Sequence, residues 1–97
     1  MTESSEDAGV LTALVERLEK RRVPRALTIK EKVDRGERLE EEDTDYLKKI
    51  IADAQDVLGL IDKYPEYQSL YARVAGLYED ITSKALENEQ LPRNPSN

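Results

Sequence analysis

Five basic side chains, Arg17, Arg21, Arg25, Lys32 and Arg35, recur at spacings of four, four, seven and three residues. On a straight α-helix, at about 100° per residue, they fall within about 80° of one another. Guanidinium and ammonium groups in a row attract carboxylates and phosphates, so this ridge is a candidate strip for phosphate, nucleic acid or an acidic partner. The competing reading is internal ion pairing, with Glu42, Asp53 and Asp56 on one edge of a later helix as the acids. Exposed pairs of that kind contribute about 0–1 kcal/mol each. No aromatic residue lies between Val10 and Asp45 to stack on bases, which weighs against nucleic acid.

Tyrosine supplies the second candidate surface. The five tyrosines are the only aromatic residues, and Tyr64, Tyr67, Tyr71 and Tyr78 gather on or beside the last apolar segment. Aromatic side chains anchor protein interfaces. They also replace phenylalanine at the rim of a core, with the hydroxyl left in water.

A third cluster, Glu40, Glu41, Glu42, Asp43 and Asp45, offers oxygen ligands of the kind that suit Mg²⁺ or Ca²⁺. Consecutive helical residues point in different directions, however, and the acids suit the positive end of a helix. They also weigh against a helix-turn-helix reading of 24–58, because the recognition helix would push carboxylates at phosphates. The chain has no Cys and no His. Thiolate and imidazole metal sites and His-dependent nucleophile systems are therefore absent. No cofactor, metal site or catalytic residue is expected.

These groups need elements to hold them. The chain has 97 residues, the size of one domain. With 37% charged residues, four Gly and no alternating β-branched run, the expected class is all-α. Val10, Leu11, Leu14, Val15 and Leu18 mark one face of a helix from Ala8. Pro24 interrupts it, since it has no N–H and its ring meets the carbonyl of Lys20. A restart near Val23 is favoured, because proline suits the first turn of a helix. Ala26, Ile29 and Val33 fall near the earlier stripe on a continuous wheel, so the phase is expected to carry across the proline. The same wheel sets Arg22 and Arg25 in the apolar sector, with their methylenes on the core and their head groups in water. Gly36 suits the left-handed position that stops a helix.

A second helix is expected over 41–64, carrying Tyr46, Leu47, Ile50, Ile51, Ala54, Val57, Leu58 and Ile61. Pro65 opens a third, which reaches 88 and whose wide apolar face suits contact with two neighbours. The expected fold is an antiparallel three-helix bundle, its first helix kinked or split at Pro24 to make three or four helices. Residues 1–7 read as a flexible acidic lead, 8–88 as the domain and 89–97 as a disordered tail.

The net charge is −6 but unevenly spread. Residues 17–38 carry nine basic and four acidic side chains, net +5, against −11 elsewhere. No run approaches the ~18 apolar residues of a membrane span, and no basic leader precedes an apolar stretch. A cytoplasmic protein with no membrane partner is expected. The favoured function is a small non-enzymatic interaction or adaptor module, its partner another protein, a second copy of this chain included. The alternatives are an anion-binding module that uses the ridge, and a small enzyme with an Arg/Lys-lined cleft in a helical dimer.

Overall fold

The computed structural model describes residues 2–91, with side chains described from Gly9 onward. Among them there is no strand. The chain forms α1 (Thr2–Arg17), a π-helical turn (Leu18–Arg22), α2 (Val23–Asp34), α3 (Glu41–Leu58), a short 3₁₀ turn (Pro65–Tyr67) and α4 (Gln68–Gln90). The first three make one arm. α3 returns beside it, and α4 packs along both α2 and α3. The architecture is the expected antiparallel three-helix bundle. α1 begins at Thr2, ahead of the start expected at Ala8, and α4 runs to Gln90, into the segment read as a tail. Met1 and positions 92–97 of that tail lie outside the described residues.

The π-helical turn corrects one expectation. The phase does not carry across Pro24. Buried positions on the arm run Leu11, Leu14, Val15 and Leu18, then skip to Val23, Ala26, Ile29 and Val33. The step from Leu18 to Val23 is five residues, one more than an α-helical turn tolerates on a single face. A π turn closes its hydrogen bond from i to i+5, and the Val23 N–H donates to the Leu18 carbonyl. The extra residue turns α2 back by about 100°. Without it, Arg25 and Lys32 would aim at the middle of the stripe set by Leu14 and Leu18. With it, Val23 and Ala26 take the core positions, 4% and 2% exposed. The backbone stays in the right-handed helical region throughout, with φ/ψ of −63/−44 at Arg17 and −75/−47 at Arg22. The wider turn also precedes Pro24, whose missing N–H and bulky ring are hardest to fit in a regular α-helix.

The arm stops as the sequence requires. Gly36 has φ +89, and the hydrogen bonds Gly36 N–H to Val33 O (2.9 Å) and Glu37 N–H to Lys32 O (3.2 Å) complete a Schellman motif. α3 then starts at Glu41, where the Asp43 carboxylate reaches back to the Glu40 N–H at 2.9 Å.

A second correction concerns the end of α3. The helix stops at Leu58, not Tyr64. Gly59 is a poor helix former, and past it the N–H groups of Leu60 and Ile61 bond three residues back, to Val57 and Leu58. These tight turns let Leu60, Ile61 and Tyr64 pack on the core from a reversing loop. In the assembled core, Leu18, Ile29, Ile50, Val57, Val74 and Ile81 are at most 2% exposed.

The far end of the bundle is tied by Asn88, which is 2% exposed. Its amide nitrogen donates to Val33 O and Glu37 O, both at 2.8 Å, joining α4 to the end of α2. Its Oδ1 has no partner among the described residues. Arg38 donates to the carbonyls of Glu89 and Leu91 at 3.2 Å, satisfying the open end of α4.

Candidate functional site

The seam between the arm and α3 carries most of the described ion pairs between elements. Arg17 grips Asp53 with two bonds, Nε to Oδ2 and Nη2 to Oδ1, both 3.0 Å. Arg22 adds a third, Nε to Oδ2 at 2.9 Å. In an α-helix residues five apart stand about 140° from each other. The π turn brings these two to one face, so one carboxylate serves two guanidinium groups. The Asp53 side chain is 10% exposed, that of Arg22 18% and that of Arg17 44%. Hydrogen bonding to Asp53 and closeness to Tyr46 hold the Arg22 pKa above its ordinary value, against the opposing effect of burial.

Tyr46 lies beside this triad. Its hydroxyl donates to the Arg21 carbonyl at 3.2 Å. The guanidinium carbons of Arg22 and Arg25 each lie 5.3 Å from its ring centre, within cation–π range. Arg25 therefore has an aromatic surface to lie on. It does not sit in the apolar sector of the arm, as a continuous wheel implied.

Lower on the seam, Lys32 donates to Asp43 Oδ2 (2.7 Å) and Glu40 Oε2 (2.8 Å). The Lys32 pKa rises well above 10.5, first through the Asp43 hydrogen bond and then through Glu40. Burial by itself pushes the Asp43 carboxyl up. The Lys32 hydrogen bond, the Glu40 N–H and the positive charges of Lys32 and Arg25 outweigh that and hold it below its usual value. Arg35 pairs with Glu37 at 2.8 Å, Lys30 with Asp34 at 2.8 Å and Lys20 with Glu16 at 3.5 Å.

The five ridge residues thus divide. Arg17, Lys32 and Arg35 each reach a carboxylate. Arg21 and Arg25 have none among the described residues. Of the acids expected on the partner edge, Asp53 takes part, whereas no ion pair to Glu42 or Asp56 occurs among the described residues. An open depression beside the ridge is lined by Ala13, Glu16, Arg17, Lys20 and Arg21.

Tyr64, Tyr67, Tyr71 and Tyr78 are all half-buried and pack against the core. Leu58, at the end of α3, is 48% exposed. Tyr67, Tyr71 and Tyr78, on α4 and the turn that opens it, give that element an aromatic face, unlike the ionic arm–α3 seam. Among the described residues no group of three acidic side chains is placed to hold a metal ion, and no helix is long and apolar enough to cross a membrane. Asp43 instead serves the helix start and Lys32.

Sequence reading passed over three contributors: Arg22 as a partner of Asp53, Tyr46 as the ring beneath two arginines, and Asn88 as a tie. The first two had a signal, the five-residue step from Leu18 to Val23 in an otherwise regular pattern. Asn88 had none, because its role depends on where the ends of α2 and α4 meet. The chain matches no protein-family model, no curated protein and no solved structure.

Proposed function

We propose that this protein is a small non-enzymatic interaction module that docks another protein on the tyrosine-bearing face of α4 and the turn before it. The observation that carries this reading is the half-burial of Tyr64, Tyr67, Tyr71 and Tyr78 against the core. Rings held from behind present their remaining faces and hydroxyls with little conformational freedom left to lose, the property that makes tyrosine an interface anchor. Most cations of the arm are engaged with acids of the same chain. A cytoplasmic setting suits a chain without cysteine.

The test is to map a partner's footprint. Proteins retained by the chain from native extract are purified and titrated into the ¹⁵N-labelled protein. Amide shifts confined to 64–78, with retention lost in a Tyr71→Ser/Tyr78→Ser variant of unchanged helicity, support the reading. A footprint on the arm, or retention indifferent to that variant, overturns it.

A further inference from the structure

We infer that Arg21 and Arg25 form a second binding site, which takes a short carboxylate-bearing segment of a partner protein. The site is separate from the tyrosine side and stands or falls independently of it.

The arm from 17 to 38 carries nine basic residues. Six of them, Arg17, Lys20, Arg22, Lys30, Lys32 and Arg35, have a carboxylate within 3.5 Å. Arg38 is occupied by two carbonyls. Arg21 and Arg25 remain. Their side chains make no hydrogen bond or ion pair among the described residues, and both are exposed.

Arg25 is nonetheless held in place. It lies over the Tyr46 ring, a contact that restrains its guanidinium while leaving the N–H donors unused. The hydroxyl of the same ring is bonded to the backbone carbonyl of Arg21, which sets the Arg21 backbone beside this ring. The local charge is also unbalanced. Arg17 and Arg22 share the single carboxylate of Asp53, leaving one positive charge uncompensated beside Arg21. Asp43 faces Arg25 at longer range but is already bound by Lys32 and the Glu40 N–H.

A pre-oriented guanidinium with free donors is the group best matched to a planar carboxylate, through paired N–H···O bonds. Two arginines one turn apart suit one or two such groups. An extended polyanion fits less well. Nucleic-acid affinity rises with the number of phosphates neutralised, and two arginines neutralise few; a longer track from Arg25 along α2 meets Glu40 and Asp43 at Lys32. Tyr46 is already covered by arginines and is not free to stack on a base.

The test uses the full chain and two labelled probes of similar length, a hexaglutamate peptide and a thymidine hexanucleotide, read by fluorescence anisotropy at low salt. Binding of the peptide, weakened about tenfold or more in Arg21→Gln/Arg25→Gln with helicity and melting midpoint unchanged, is the expected result. Arg25→Lys keeps the charge but loses the flat fork, and should also weaken binding. Lys48→Gln/Lys49→Gln on α3 should bind as the unaltered chain does. The inference is overturned if the peptide does not bind, if the α3 control loses as much affinity, if the hexanucleotide binds more tightly, or if the double arginine variant unfolds.

Discussion

Arg17 and Arg22, five residues apart, place their Nε atoms 3.0 and 2.9 Å from the same oxygen of Asp53. That convergence links three levels of the molecule. A π-helical turn brings the two arginines together, the turn is what keeps the apolar stripe of the arm in phase, and the shared carboxylate joins the arm to α3.

Removal of the carboxylate should therefore cost more than removal of either arginine alone. Asp53→Ala leaves two guanidinium groups facing each other at a partly buried site. A loss of about 2–3 kcal/mol is expected, below the range for a fully buried pair because Arg17 is nearly half exposed. Arg17→Ala should cost about 1 kcal/mol or less, and Arg22→Ala more than Arg17→Ala. Urea unfolding of the three variants checks the order; a larger loss for Arg17→Ala than for Asp53→Ala contradicts it.

Stability should fall at both ends of the pH scale through one contact. The Asp43 pKa is lower folded than its ordinary 3.8, so its contribution is present above about pH 4 and is lost as pH falls through the folded value. The Lys32 pKa is raised above 10.5, so its contribution is full below that pH and is lost as pH rises through the folded value. Between those limits the contact adds no pH dependence. Denaturation midpoints across pH should show a smaller acid slope in Asp43→Asn and a smaller alkaline slope in Lys32→Gln.

The π turn predicts that the position of a one-residue deletion decides its outcome. Deleting Lys20 in a Pro24→Ala background leaves Leu18 and Val23 four apart, which an α-helix accommodates, and keeps Arg17 and Arg22 on one face. That chain should fold with a circular-dichroism spectrum of unchanged helicity. Deleting Thr28 in the same background turns Ile29 and Val33 out of the core by about 100° and should abolish cooperative melting. Equal behaviour of the two deletions would count against the turn as the source of the phase change.

Asn88→Ala strips the donors from the Val33 and Glu37 carbonyls at a buried site. The Val33 carbonyl keeps the Gly36 N–H and the Glu37 carbonyl is left open, so a loss of about 1–2 kcal/mol follows. Hydrogen exchange should quicken at Gly36 and Glu37, whose N–H groups close the Schellman motif next to those carbonyls. Asn88→Asp should be worse, because it sets a carboxylate against two carbonyl oxygens. Unaltered exchange at 36 and 37 would show that the tie does not hold the connector.

Much of the fold is written in local pattern. Leu11, Leu14, Leu18, Leu47, Ile50, Val57, Val74 and Ile81 each recur at helical spacing and each is buried, because an amphipathic helix has only one way to hide its stripe. Gly36 ends the arm because its φ of +89 strains any residue with a side chain. Other features exist only in the assembled bundle. The π turn is set by the need of two helical segments to face the same partners, so a wheel drawn for the arm alone puts Arg25 and Lys32 in the wrong sector. α3 ends at Leu58 because the chain must reverse there and lay Leu60, Ile61 and Tyr64 over the core, although their spacing alone would continue a helix. The choice of Asp53 and Asp43 over Glu42 and Asp56 as partners for the arm rests on which carboxylates α3 delivers to the seam. Periodicity fixes the face a residue occupies, but pairing depends on how two helices are rotated and slid against each other, and only packing decides that.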